Sequence, residues 1–306
     1  MSGILNSYYL QIGSFAMINI LLGLSAWIPL STGQLSLGSA GFMGLGAYTS
    51  AIFVTRFGIP LPFAIIIAGV LSMLAGVLVG IPALRLKGVY LAIATLGFGE
   101  VMRVVFIKWE SVTGGAVGIA GIPVISTPTV GFLIDSSIID SSDKNLVSDL
   151  TTFLILLLVT GFFIWFFIAM RKTRIWRANS AIRLDETAAE SIGINVHHYK
   201  VSAFSQSAFV SAIAGALYAH TASFISPSDF TYHKAVEALM FTVIGGSGHV
   251  LGAVLGASVL TIIPEALRFL KDYRYAAFGG VLVTMMVFKP EGIITENLFR
   301  KLRKKV

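Results

Sequence analysis

Residues 61–84 read LPFAIIIAGVLSMLAGVLVGIPAL, a run with no ionisable side chain at any position. An α-helix rises ~1.5 Å per residue, so about 20 apolar residues cross the ~30 Å hydrocarbon layer of a bilayer. A soluble helix keeps one polar face for water, and this stretch has none. It reads as a transmembrane helix. Working outward, segments 9–30, 35–54, 89–107, 150–170, 201–221, 235–244, 250–267 and 275–288 read the same way, giving nine candidate spans. Segment 35–54 is the richest in glycine and small residues. Segment 235–244 is short and carries Glu237 near its start.

Composition agrees. Of 306 residues, 56% are hydrophobic and 12% charged, against roughly a quarter charged in soluble domains. Mean hydropathy is +0.84. The expected fold is an all-α polytopic membrane bundle of about 8–10 transmembrane helices, forming one domain over residues 1–306. There is no cysteine, which excludes disulfides, thiolate metal sites and a cysteine nucleophile. No cleavable signal peptide is evident at the first apolar run. No internal repeat stands out.

The net charge is +7. The charges lie between apolar runs, so they report membrane orientation rather than nucleic-acid binding. Loop 171–200 carries Arg171, Lys172, Arg174, Arg177, Arg183 and Lys200. The tail carries Lys289, Arg300, Lys301, Arg303, Lys304 and Lys305, and a third basic turn carries Arg85 and Lys87. Alternating spans put all three on one side, the expected cytoplasmic side. Loop 111–149, with Asp135, Asp140, Asp143 and Asp149 against Lys144, is then outside, as is the amino terminus.

Four features bear on mechanism. In the stretch that begins Ser31, Thr32, Gly33, Gln34, Leu35, Ser36, Leu37, Gly38 and continues through Gly41, Gly44 and Gly46, small residues permit irregular backbone or close helix contact. Two readings stand: a broken helix beside a translocation path, or tight packing with glycine as spacer. Gly76 with Gly80, and Gly248 with Gly252 and Gly256, recur every four residues and read as helix packing, against this chain or a second subunit.

Residues 181–193, AIRLDETAAESIG, repeat apolar side chains at Leu184, Ala188 and Ile192, one face of a short helix stopped by Gly193. Asp185, Glu186 and Glu190 lie off that face. Such an acidic helix suits an anionic lipid surface poorly, so protein docking is expected. Finally, Glu100, Arg103, His220, Glu237 and Glu265 lie in or near spans. Glu100 and Arg103 are spaced to pair on one helix face. His220 has no second ligand at metal spacing. The chain has no phosphate loop, no zinc-protease motif, no nucleophile elbow and no run of intramembrane carboxylates. Its energy source is therefore expected in a partner, and no cofactor is expected on this chain.

Several stretches resemble those of the branched-chain amino-acid ABC-importer permeases, M-type (LivM-like) subunit. They are 32–48 (TGQLSLGSAGFMGLGAY), 84–103 (LRLKGVYLAIATLGFGEVMR), 113–119 (TGGAVGI) and 181–193, with 245–248 (GGSG) and 289–292 (KPEG). The resemblance runs nearly end to end. It implies a type II importer fold and a heterodimeric pore made with a second, H-type permease. It also implies two cytoplasmic ATPase subunits that use ATP and an extracytoplasmic binding protein that delivers leucine, isoleucine or valine.

The 181–193 helix then becomes a coupling helix that docks an ATPase through Arg183, Leu184, Asp185, Glu186, Ala188, Ala189, Glu190, Ile192 and Gly193. Thr187 stands where the general permease motif has glutamate, so no role for that carboxylate carries over. Gly33, Gln34, Ser36, Gly38, Gly41, Thr95, Gly97 and Glu100 are the candidate translocation-path residues. The 113–119 stretch resembles the family's extracytoplasmic loop, and its position makes it a candidate contact for the binding protein. Urea, short amides or other amino acids are alternative cargoes on the same machinery. A self-powered transporter or channel is disfavoured by the coupling-like helix and the missing carboxylates. The expected location is the prokaryotic inner membrane, with the carboxy-terminal tail cytoplasmic.

Overall fold

The computed structural model describes residues 7–127 and 144–266, with Gly279, Gly280 and Val283 beyond them. Apart from those three residues, the expected ninth span at 275–288 lies outside the described residues, as do the basic tail, the KPEG stretch and Asp135, Asp140 and Asp143. In chain order the elements are α1 (Ser7–Leu30), α2 (Ser39–Phe57), α3 (Leu61–Ala83), α4 (Val89–Lys108), α5 (Glu110–Thr113) and β1 (Ile119–Ala120). They continue with α6 (Lys144–Met170), α7 (Arg174–Leu184), α8 (Glu186–Ser191), α9 (Val196–Ala222) and β2 (Phe224–Ile225). A 3-10 turn, Pro227–Phe230, leads to α10 (Tyr232–Gly245) and α11 (Val250–Ala266).

The chain is a polytopic helical membrane bundle. α1, α3, α4, α6 and α9 are long and apolar enough to cross a membrane, and α10 with α11 passes as a pair bent by 117°. Two expected spans therefore form one hairpin. Gly246, at φ 108°, ends α10, and the chain turns back through Ser247, Gly248 and His249. Gly252 and Gly256 lie on α11, where an added Cβ would come within 2.0 Å of the Gly246 carbonyl and 1.8 Å of the Phe241 carbonyl. Gly248 sits in the turn, not on the helix, so the expected three-glycine face shortens to two. Reversing the chain there takes precedence over extending the helix.

The span expected at 35–54 starts at Ser39, and 34–38 run without regular structure. At 19 residues α2 is not among the helices long and apolar enough to cross a membrane, and it is enclosed by protein along most of its length. Gly41, Phe42, Met43, Gly44 and Ala47 are buried, so its outer face need not satisfy lipid. α9 is the central helix, packed along α2 and α3 and then α1. Its small residues allow this. A Cβ on Gly215 would meet the Met43 carbonyl at 1.9 Å, and one on Gly46 would meet the Ala212 carbonyl at 2.2 Å. Gly76 and Gly80 bring α3 onto the same helix, against Ala208 and Phe204. All these partners are in this chain.

The peripheral helices α3, α4 and α6 are buried over 33%, 28% and 22% of their apolar cores, against 72% for α1 and α9. Leu78, Tyr90 and Leu158 are each more than 70% exposed there. This outward apolar surface is what lipid or another membrane chain would cover.

Candidate functional site

One end of the bundle collects the basic turns and the amphipathic loop. α1 stops there because Gly33 takes the left-handed conformation, φ 76°. Its amide donates to the Leu30 carbonyl at 3.1 Å, and the Gln34 amide donates to the Pro29 carbonyl at 3.0 Å. Ser31 and Thr32 hydroxyls fold back onto the Ile28 and Pro29 carbonyls. These bonds satisfy carbonyls that a helix end leaves open. The following residues are pinned one by one. Gln34, buried, donates through Nε2 to Thr32 Oγ1 at 2.8 Å and to the Lys200 carbonyl at 3.1 Å. The Leu37 amide donates to Thr95 Oγ1 at 2.9 Å, and the Gly38 amide to Ser36 Oγ at 3.3 Å.

Among the candidate path residues, Gly38, Gly41 and Thr95 come together where α2 crosses α4. A Cβ on Gly41 would lie 2.9 Å from Gly99 Cα. Gly97 and Glu100 do not join them. Among the described residues, nothing beyond its own stretch of helix lies within 4 Å of a Cβ built on Gly97. Glu100 Oε2 accepts from Arg103 Nε at 2.7 Å on the same outward side of α4, with both side chains 32% exposed. This ion pair lies among Ile93, Val101 and Val104, all exposed.

The amphipathic loop is two helices, not one. Asp185 is extended at φ −158° and caps α8 by accepting from the Thr187 and Ala188 amides at 2.9 and 3.1 Å. An aspartate in that role breaks the helix that the apolar spacing predicts. α8 then ends as α1 does, with Gly193 at φ 85° and bonds from Gly193 to the Glu190 carbonyl and from Ile194 to the Ala189 carbonyl. Ala189 is buried at 2% exposure against Ile182 and Val196, whereas Leu184 and Ile192 are 88% and 74% exposed, with Ala188 between them also exposed. The break leaves Leu184, Ala188 and Ile192 exposed on its two sides.

The loop is tied to the bundle at four points. Arg183 donates to Ser247 Oγ at 3.2 Å and to its carbonyl at 3.4 Å, reaching the α10–α11 turn. The Arg183 backbone lies against Gly33. Glu186 accepts from Lys200 Nζ at 2.5 Å and pairs with Lys87 Nζ at 3.6 Å, joining α8 to α9 and to the α3–α4 turn. Trp176 of α7 stacks on Trp27 of α1 at 4.9 Å and 13°, under the Arg171 guanidinium, and Trp27 Nε1 donates to the Ser247 carbonyl. Lys87 and loop 171–200 therefore share one end of the molecule. Sequence reasoning missed Trp176, Trp27 and Ser247. The aromatic pair is 149 positions apart in sequence, and only the fold brings it together. At this turn, burial and the nearby Arg171 guanidinium push His249 down to about 4.

The opposite end carries the 113–119 stretch. Gly114, Gly115, Gly118 and Gly121 all have positive φ, and β1 pairs with β2 antiparallel, Ile119 opposite Ile225. Val117 at the tip is 78% exposed. His220, fully buried, is held between Ser50 Oγ at 2.9 Å and the Pro123 carbonyl at 2.8 Å. Among the described residues no group of acidic or histidine side chains is placed to hold a metal ion. Glu237 pairs with Lys234, and Glu265 accepts from the Tyr8 hydroxyl.

A family model described as branched-chain amino acid transport system / permease component matches residues 8–288. The high-affinity branched-chain amino acid transport system permease protein LivM of Escherichia coli (strain K12) is 35% identical over 297 residues, covering 93% of this chain and 69% of its own. LivM of Salmonella typhimurium is 35% identical over 298 residues, with the same coverage. More distant is the autoinducer 2 import system permease protein LsrC of Escherichia coli (strain K12 / DH10B), 27% identical over 317 residues, covering 99% of this chain and 86% of its own. No solved structure matches.

Proposed function

We propose, from the premise that this chain belongs to the family of branched-chain amino acid transport system permease components, that it is one permease subunit of an ATP-driven importer of leucine, isoleucine and valine. The cargo follows the relatives at 35% identity rather than those at 27%. A second, H-type permease completes the pore. Two ATPase subunits hydrolyse ATP, one of them docking on α7–α8, while a binding protein meets the opposite end near Val117. The basic end is cytoplasmic by the positive-inside rule, as is the tail, and the protein resides in the inner membrane.

The observation that carries this reading is the exposed apolar set Leu184, Ala188 and Ile192. It is exposed to solvent on a loop that Arg183, Glu186 and Trp176 bind to three other parts of the bundle. Exposed apolar side chains on a rigid polar loop suit a protein partner. Movement of that partner would reach the α10–α11 turn through Arg183. In this picture the 34–38 connector lies between the docking loop and the α2–α4 crossing, where a translocation path would pass. The test is uptake of labelled leucine by proteoliposomes holding the whole importer. Uptake that needs ATP and ignores collapse of the proton gradient is expected. Uptake that survives without ATP and follows the gradient sinks the proposal.

A further inference from the structure

Three spans of the bundle turn apolar faces outward: α3, α4 and α6. α3 has no ionisable residue, and α6 has none after Asp149. Lipid suits both. α4 differs. Its buried side is Leu91, Ala92, Thr95, Gly99 and Phe106. Its outward side runs through Tyr90, Ile93, Gly97, Glu100 and Val104, spaced three or four residues apart along one helix face. Glu100 thus sits within a face that is otherwise apolar, with Ile93 and Val104 exposed one to two turns away on either side.

Depth matters here. Glu100 lies about 16 Å along α4 from Val89, near the middle of a ~30 Å hydrocarbon layer. An arginine toward a helix end ordinarily reaches for the interface. Arg103 instead reaches back one turn, its Nε donating to Glu100 Oε2 at 2.7 Å. Among the described residues the pair makes no other hydrogen bond. A guanidinium has five N–H donors and a carboxylate two acceptor oxygens, so bonding capacity is left over. Charged groups within a span face protein or a water-filled cavity, because hydrocarbon does not solvate them. Lipid is therefore a poor cover for this face, although it suits α3 and α6. The face also has room for a close neighbour, since Gly97 is open to an added Cβ.

We infer that the outward face of α4, from Ile93 to Val104, is where the second permease subunit packs, with Glu100 and Arg103 bonded across the contact. The inference rests on the two-permease reading above. The helix that fits is apolar opposite Ile93 and Val104. At the depth between them it brings an acceptor to the Arg103 guanidinium and a donor to Glu100.

The chain has no cysteine, so single cysteines report cleanly. Ile93→Cys and Val104→Cys on α4, and Leu158→Cys on α6, each carry a benzophenone maleimide in the full importer in proteoliposomes, its other subunits made cysteine-free. Irradiation of the two α4 variants gives an adduct with the second permease, identified by mass, and Leu158→Cys gives lipid adducts alone. Lipid adducts alone from both α4 variants overturn the interface and leave the importer reading standing. An adduct with this chain, as a second copy or through its own segment 275–288, overturns it as well. In parallel, Glu100→Leu combined with Arg103→Leu lowers recovery of the second permease with this chain at least fivefold, while the amount of this chain in the membrane is unchanged. Recovery within twofold of wild type overturns the bonding of the pair across the contact. A matching fall in the membrane level of this chain assigns the pair to its own folding and overturns that bonding too. Wild-type chain that recovers no second permease overturns the two-permease reading, and the interface with it.

Discussion

At the basic end, the joints between elements are side chains: Arg183 on Ser247, Glu186 on Lys200 and Lys87, Trp176 on Trp27. At the opposite end, the joints are backbone, apart from the His220 side chain on Ser50 and Pro123. β1 pairs with β2, the Ile122 and Ile125 amides donate to the Ser223 and His220 carbonyls, and glycines sit so close that a Cβ has no room. The difference has a physical meaning. The Lys87–Glu186 bridge, with Lys87 79% exposed, is worth ~0–1 kcal/mol and can be exchanged. A buried backbone bond has no substitute when it breaks. The first kind of joint suits a surface that changes partners or position during a cycle, and the second suits a fixed platform.

The largest effect is expected at the backbone end. Gly118 has φ 86°, and a Cβ there would lie 2.0 Å from the Ile225 carbonyl. Gly118→Val combines left-handed strain with a backbone clash, so a loss of about 3 kcal/mol or more is expected. Thermal unfolding of the purified permease checks it, and an unchanged midpoint would dissolve the contrast between the two ends.

Next comes the docking loop. Leu184→Ser combined with Ile192→Ser should cut leucine uptake about tenfold while shifting folding stability by less than about 0.5 kcal/mol, because both residues are exposed. Uptake at the wild-type rate would remove these side chains from the ATPase contact. This pair is a cleaner test than Ala189→Arg, since Ala189 is buried and its replacement would disturb the fold as well.

A smaller, pH-dependent effect is expected at the hairpin turn. His249 is held down to about 4 from an ordinary 6.5, first by burial and then by Arg171. Its folded state favours the neutral ring, so the unfolded chain binds a proton first as pH falls. Stability should hold above about pH 6.5 and decline from there toward about pH 4. His249→Gln should flatten that part of the unfolding profile, and an unchanged slope would assign it to other groups. The smallest effect belongs to Lys87→Ala. Its side chain is 79% exposed and 3.6 Å from Glu186, so chemical denaturation should move by no more than about 0.5 kcal/mol.

Much of this was legible from residue type and spacing. The apolar runs mark the spans because a bilayer demands length and hydrophobicity from each helix separately. Gly193 marks a helix stop because only glycine takes the left-handed turn freely. The short Glu100–Arg103 spacing brings a pair that one helix makes by itself. Asp185 was harder to read. The apolar repeat runs through it, and its capping role shows only when the backbone is extended there.

What the sequence by itself determined is a membrane-spanning helical chain with basic turns between its spans and a separate acidic amphipathic segment. Each of those follows from local chemistry. Only the tertiary structure decided that residues 232–266 form a hairpin and that its turn is held by Arg183 and Trp27. It alone decided that Gly46 and Gly215 seat α2 against α9, and that Lys234 of α10 reaches Asn19 of α1. These are meetings of residues far apart in the chain. No local propensity encodes them, because their free energy comes from packing and from hydrogen bonds that exist only once the helices have assembled.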